Sequence, residues 1–296
     1  MQRLFTRTIT NMSTAETYSL ASTIKLSNGI VMPRIHLGVY MTSGRECSNA
    51  VTYALKAGYK AIDSAEWYAN EREVGSSISK FLAGNPGTKR EDLWFTTKLK
   101  TNSSYDATRK SIKESIRKSG LGYLDLYLLH SPYGGKTKRL ECWKAVEDAI
   151  EAGEVRCGGV SNYGVKHLEE LLDSKPRIRP VVNQIEFHPF NTRTDISLFC
   201  LDHNIIVEAY APLARAMRMK HPSVVELSKK YKCTPGQLLI RWSLQHGFVP
   251  LPKSIREERI VENGEVGHFE ISDHDVKVLD ACDENLITDW DPTDAD

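Results

Sequence analysis

The chain has 296 residues, 41% of them hydrophobic and 26% charged, with a formal net charge of +1. That length suits one large domain or two ordinary ones, and the near-neutral charge gives no electrostatic reason to expect nucleic acid or an anionic membrane as partner. No apolar run approaches a membrane span, and the six cysteines include no C-x-x-C pair, so they read as reduced thiols, with neither a disulfide framework nor a metal site.

The first fifteen residues stand apart. Arg3 and Arg7 precede any acid, and on a helix Phe5, Ile9 and Met12 share the opposite face. The expectation is a plain tail on a cytoplasmic protein; the alternative, whose pattern this stretch has, is a mitochondrial transit peptide. Residues 1–22 are therefore read as a tail and 23–296 as one domain.

After the tail, Asn28-Gly29 between β-branched and apolar residues predicts a hairpin. Short apolar strands then alternate with helical periods. The strands are expected near 35–40, 60–64, 93–98, 124–130, 155–161, 181–185, 205–209 and 248–250. Helices are expected over 44–57, 70–82, 105–119, 139–152, 165–173, 194–202, 235–245 and 255–265, with an extra short one over 222–231. Boundary signals support several of these. Asn70 with Glu73 reads as a capping pair, and Thr234-Pro235-Gly236-Gln237 as a full capping box with proline at the first helical position. Eight strands alternating with eight helices predict an α/β fold, a (β/α)8 TIM barrel with the N-terminal hairpin closing its bottom. A doubly wound open sheet is the rival, but the chain has no G-x-G-x-x-G turn.

In such a barrel the chemistry sits at the C-terminal ends of the strands. Read in order, those ends carry Asp63, with Tyr68 in the loop beyond it, then Lys98, His130, Ser161 with Asn162, Gln184 and Tyr210. Packing alone does not explain so many polar residues at the ends of successive apolar strands, because each buried polar group costs free energy unless it is paired.

Seven stretches, 58–75, 95–99, 125–132, 159–163, 183–189, 209–213 and 252–263, resemble the aldo-keto reductases in order and spacing. The likeness covers nearly all of residues 24–292. It implies a catalytic tetrad of Asp63, Tyr68, Lys98 and His130, with Tyr68 as proton donor to a small carbonyl substrate. In that scheme Lys98 lowers the pKa of the phenol, Asp63 keeps Lys98 charged, and a neutral His130 donates a hydrogen bond to the carbonyl. It also implies that Ser161, Asn162 and Gln184 hold a nicotinamide carboxamide, that Tyr210 stacks under the ring, and that Leu213 lines the cofactor loop. Lys253, Ser254 and Arg259 match positions around an adenosine 2′-phosphate, with Glu262 and Asn263 near the adenine. Ser254 with Glu257 reads as a capped helix start, and two cations there favour NADPH over NADH.

The chain departs from the family's commoner pattern at Tyr40, Ser131, Ala211 and Ala214-Arg215. Short loops predict an open pocket lined by Tyr40, Trp67, His130 and Trp94, whereas Trp143, Trp242 and Trp290 are assigned to packing. The expected activity is NADPH-dependent reduction of small aldehydes, ketones or sugar-derived carbonyls. A polyol or alcohol dehydrogenase running in reverse, or a non-catalytic cofactor-sensing subunit, is the alternative. A monomer is expected.

Overall fold

The computed structural model describes residues 18–296, so the transit-peptide pattern lies outside the described residues. The hairpin is β1 (Thr23–Lys25) with β2 (Val31–Pro33), antiparallel across a turn in which Gly29 takes φ +86°. A side chain at that φ would be strained, which is why glycine stands there. Eight parallel strands follow: β3 (His36–Gly38), β4 (Ala61–Asp63), β5 (Trp94–Leu99), β6 (Leu124–Leu129), β7 (Val155–Ser161), β8 (Val182–Glu186), β9 (Ile206–Tyr210) and β10 (Val249–Leu251). They are hydrogen-bonded in strict chain order. The ring closes where Gly38 bridges Lys253 and its N–H donates to Pro252 O at 3.0 Å. This is the predicted (β/α)8 barrel.

The helices are α1 (Gly44–Ala57), α2 (Glu71–Gly84), α3 (Tyr105–Ser119), α4 (Lys136–Glu151), α5 (Val165–Asp173), α6 (Thr194–Asp202), α7 (Pro222–Tyr231), α8 (Pro235–Gln245), α9 (Glu257–Gly264) and α10 (Asp273–Asp280). Their apolar faces and the outward faces of the strands form one large core. A smaller apolar cluster joins Leu26 and Met32 of the hairpin to Ala61, Trp94, Leu126, Val182 and Val249, so the hairpin plugs the N-terminal end of the barrel.

Local chemistry explains most boundaries. Thr234 Oγ1 accepts from the Gln237 N–H, and Gln237 returns a bond to the Thr234 N–H, completing the expected box. Such a cap contributes about 1 kcal/mol. Helix α10 was not expected from the sequence, although its signal was present: Ser272 Oγ accepts from the Asp275 N–H.

Two expected caps do not form. Asn70 sits at the N-cap of α2 without capping it. Its amide instead donates to Val39 O (3.0 Å) and Thr42 O (2.9 Å), while its Oδ1 accepts from Ser64 Oγ (2.6 Å). A buried amide with three partners in a neighbouring loop is worth more there than at a helix end, and it clips the loop carrying Tyr40 to the end of β4. Likewise α9 begins after Arg256, and Ser254 Oγ accepts from the Arg256 N–H in a turn ahead of the helix.

Candidate active site

Asp63 ends β4, and the chain then makes a short 3-10 turn, Glu66–Tyr68, closed by Ala69 at φ +54°. Glu66 accepts from the Lys100 N–H and Ser111 Oγ, which ties this turn to the end of β5. Tyr68 is thereby hung over the barrel mouth, half-buried, with its ring 5.0 Å from Tyr40 and 5.9 Å from His130.

Lys98 lies one strand away and is completely buried. Its ammonium donates to Asp63 Oδ1 and to Ser64 O, both at 2.7 Å, and stands 5.1 Å from the Tyr68 ring centroid. A buried ammonium needs such partners, because desolvation costs several kcal/mol per ion. Replacing Lys98 with Met strands the Asp63 carboxylate in the barrel. Unfolding in urea is expected to show a loss of about 3–5 kcal/mol, the typical cost of breaking a buried pair from one side.

Lys98 is directed at Asp63 and Ser64, and no bond from it to the phenol oxygen is present among the described residues. The pKa of Tyr68 is pushed well above the ordinary phenol value, by burial first and then by the Asp63 carboxylate. The reason is geometric: the ammonium is spent on Asp63 and Ser64 and faces the ring. Tyr68 therefore rests as a firmly protonated phenol. That still suits a donor, since an alkoxide is a stronger base than a phenolate and takes the proton downhill. His130 fits its expected state. Burial, and then Lys98, lower its pKa to about 3, so the imidazole is neutral over the whole working range.

Parallel register brings the next group together. Ser161 pairs with Gln184, and Gln184 with Glu208. Asn162, at φ +60°, donates from Nδ2 to His130 O (2.9 Å) and Ser161 Oγ (3.1 Å), and its Oδ1 accepts from Tyr210 Oη at 2.9 Å. Gln184 Nε2 donates to Asp63 Oδ2 at 2.9 Å. The candidate carboxamide ligands thus join the candidate tetrad directly, through Gln184 to Asp63 and through Asn162 to the backbone of His130. Leu213 begins the short turn after β9, where Arg215 takes φ +46°.

The candidate phosphate residues follow β10 and begin α9. Lys253 is fixed by its bridge to Gly38, Ser254 follows it, and Arg259 is on the first turn of α9. Lys253 and Arg259 are exposed and have no carboxylate partner among the described residues, whereas Arg256 lies near Glu258. Glu262 accepts from Thr234 Oγ1 at 2.7 Å, and Asn263 is buried beside it.

The aromatic assignments need two corrections. Trp94 begins β5, four residues before Lys98, and so lies at the opposite end of the barrel, buried with the hairpin. Trp290 does not merely pack on the tail. Its ring stands edge-on to His130 at 6.3 Å and 5.7 Å from Tyr133, forming a wall above the site. Its neighbour Asp289 pairs with Arg215 and accepts from Tyr40 Oη at 3.3 Å. The tail is held there by Thr288 on Glu186, by Arg193 on Asp291 and Thr293, and by a close approach at Gly164, where a Cβ would meet Thr293 O at 2.1 Å. No sequence signal predicted this placement, which depends on long-range contacts. Trp67 is 57% exposed at the rim, its indole N–H bonded to Lys100 O; Tyr40 is 39% exposed. Trp143 and Trp242 are core residues, as expected.

Residues 35–284 match the model of the aldo/keto reductase family. The chain belongs to that family. This aldo-keto reductase is 46% identical, over 92% of its length and 98% of the relative's, to an uncharacterised oxidoreductase of Schizosaccharomyces pombe. It is 39% identical to a glyoxal reductase of Bacillus subtilis, covering 90% of this chain and 95% of that one. A solved Bombyx mori aldo-keto reductase in complex with NADP superposes with a TM-score of 0.86 at 32% identity, over 91% of this reductase and 95% of the neighbour. These likenesses make the protein an oxidoreductase. Among the described residues, no helix of the reductase is long and apolar enough to cross a membrane.

Proposed function

We propose that this enzyme reduces small aldehydes and ketones, including sugar-derived carbonyls, to alcohols, with NADPH as the hydride source. The observation that carries this reading is a firmly protonated Tyr68 facing a neutral His130 across an aromatic-walled cleft, above a buried Lys98–Asp63 pair. His130 donates to the substrate oxygen and orients it. Tyr68 Oη gives its proton to the oxygen as negative charge develops there, and Lys98 with Asp63 holds the base of the site rigid and polar. Proton donation of this kind supplies about 10²–10⁴-fold. Preorganised donors in a low-dielectric site also stabilise the oxyanion without the cost of reorganising solvent.

Residues suited to the cofactor lie on or after β7, β8 and β10. Ser161, Asn162 and Gln184 form a hydrogen-bonding edge beside the Tyr210 ring, fit for a carboxamide. Among the described residues Lys253 and Arg259 are cations without carboxylate partners, fit for a 2′-phosphate. Reduced nicotinamide supplies the hydride when bound. The NADP-bound neighbour and the glyoxal reductase relative support the same cofactor and a small carbonyl substrate. A broad carbonyl panel run with NADPH and with NADH tests the reading; no turnover of any carbonyl sinks it.

Trp290 stands over His130, and none of its ring contacts is with Lys253, Ser254 or Arg259 among the described residues. Replacing Trp290 with Ala is expected to raise KM for aromatic aldehydes about 10-fold, the worth of about 1.4 kcal/mol of apolar contact. The NADPH dissociation constant is expected to stay within about twofold by the same reasoning. Steady-state kinetics and a fluorescence titration read the two effects separately.

A further inference from the structure

Glu208 lies in the same layer as the candidate site yet has no part in the chemistry described above. It is in the middle of β9, points into the barrel and is completely buried. Gln184 donates both amide hydrogens inward, to Glu208 Oε2 at 2.7 Å and to Asp63 Oδ2 at 2.9 Å. Two carboxyl groups thus share one neutral donor. Asp63 has the Lys98 ammonium in contact; Glu208 does not. The other charged or titratable groups facing Glu208 are His36 on β3 and Cys157 on β7. His36 is also completely buried, its Nε2 lies 2.9 Å from Pro33 O, and its Nδ1 stands 3.8 Å from Glu208 Oε1. Among the described residues neither His36 Nδ1 nor Glu208 Oε1 has a hydrogen-bond partner. That separation is too long for a hydrogen bond, so an ionised Glu208 opposite a charged His36 would be a buried ion pair without the contacts that offset desolvation.

We propose that Glu208 is a positioning residue of the active site: a neutral buried carboxyl that anchors the Gln184 amide, keeps its carbonyl edge turned toward the nicotinamide side, and leaves Asp63 as the single anion beside Lys98. The cofactor part of this proposal rests on the function proposed above. An amide that donates to both groups cannot flip without turning its carbonyl onto the acceptor-only Asp63 carboxylate. Apolar surroundings then decide where the charge is absent: a carboxyl without a cation neutralises instead of ionising.

The titration of the group agrees with the geometry. The Glu208 carboxyl is pushed up to about 8, by burial first and then by Asp63, with the Gln184 bond and Lys98 opposing. The pKa of His36 is lowered to about 4, by burial first and then by Lys98. For Glu208 the folded pKa lies above the unfolded one. The folded chain therefore holds a proton that the unfolded chain releases, and stability from this group falls as pH rises toward 8. His36 changes stability in the opposite sense between about 4 and 6.5, but it is present in both proteins compared below.

The test compares the full-length enzyme with Glu208→Gln and Glu208→Leu. The Tm of Glu208→Gln relative to wild type is expected to climb steadily between about pH 5 and pH 8.5, because only wild type must hold a proton there. Infrared spectra of the cofactor-free proteins at neutral pH are expected to show a protonated-acid C=O band in wild type that is missing from Glu208→Gln. Titration of intrinsic fluorescence with NADP+ is expected to show about 3- to 10-fold weaker binding in Glu208→Leu, the worth of one hydrogen bond, with Glu208→Gln restoring it. A pH-independent Tm difference, or no lost acid band, means that Glu208 is ionised and overturns the proposal even if Glu208→Leu does not fold. Unchanged NADP+ affinity in a folded Glu208→Leu overturns the positioning role. A wild-type enzyme that binds NADP+ but turns over no carbonyl defeats the proposed function while leaving the Tm and infrared results to decide Glu208.

Discussion

Replacing Tyr68 with Phe is expected to lower carbonyl reduction by about 10²–10⁴-fold while leaving the fold and NADPH binding in place. The size follows from what the substitution removes. The ring keeps its contacts with Tyr40, His130 and the Lys98 ammonium, since all three are made by the ring face or edge. Only the hydroxyl goes, and with it the proton. His130 cannot take over as acid, because burial and Lys98 hold its pKa at about 3 and it carries no spare proton at working pH. Single-turnover rates with NADPH and a reactive dicarbonyl, beside a fluorescence titration of NADPH, measure the two effects. Activity retained within about threefold, where general-acid loss should cost far more, means that another group or water is the donor. The expected rate should also show no ionisation of Tyr68 across neutral pH, since its pKa lies well above the ordinary phenol value.

Arg259→Ala is the second large effect. NADPH and NADH differ only by the 2′-phosphate, so a contact to that group must show in one and not in the other. Arg259 is exposed on the first turn of α9, without a carboxylate partner among the described residues, six residues after the likewise exposed Lys253. Charge-assisted hydrogen bonds to phosphate contribute about 1.5–3 kcal/mol, so NADPH affinity is expected to fall about 10- to 100-fold. NADH affinity is expected to change by less than about threefold on the same scale. The wild-type preference should shrink in high salt as screening grows. Equal weakening of both cofactors places the 2′-phosphate elsewhere. The structure already narrows the list of contacts there: Ser254 is engaged with the Arg256 N–H and Glu262 with Thr234, so the two cations are the freest groups.

Sequence patterning located the barrel because it is a local property. Apolar runs of strand length, helical periods and turn residues mark each element without reference to any other. Eight of the ten helices were bounded within two residues by such signals, and a ninth, α4, within three. All eight barrel strands were placed, though the predicted spans of the short β3 and β4 ran wider than the observed ones and that of β10 was shifted by one residue. The strand-end residues were legible for the same reason. In a parallel barrel, position along a strand fixes which end a side chain reaches, so Asp63, Lys98, His130, Ser161 and Gln184 were found by counting.

Contacts between distant segments were not legible. Asn70 looked like a cap, and its actual partners are Val39, Thr42 and Ser64 across a loop. Trp290 looked like tail packing, and the bonds of Thr288, Asp291 and Thr293 bring it to His130 instead. Glu208 was one acid inside an apolar run until register set it beside Gln184 and, through that amide, Asp63. The pKa of Tyr68 belongs to the same class, because it depends on where the Lys98 ammonium points and how deep the ring lies. By itself, then, the sequence determined the barrel, its polar rim and the residues that could do the chemistry. Tertiary structure alone decided which of them touch, which carry charge and what covers them, because burial and pairing are set by segments far apart in the chain.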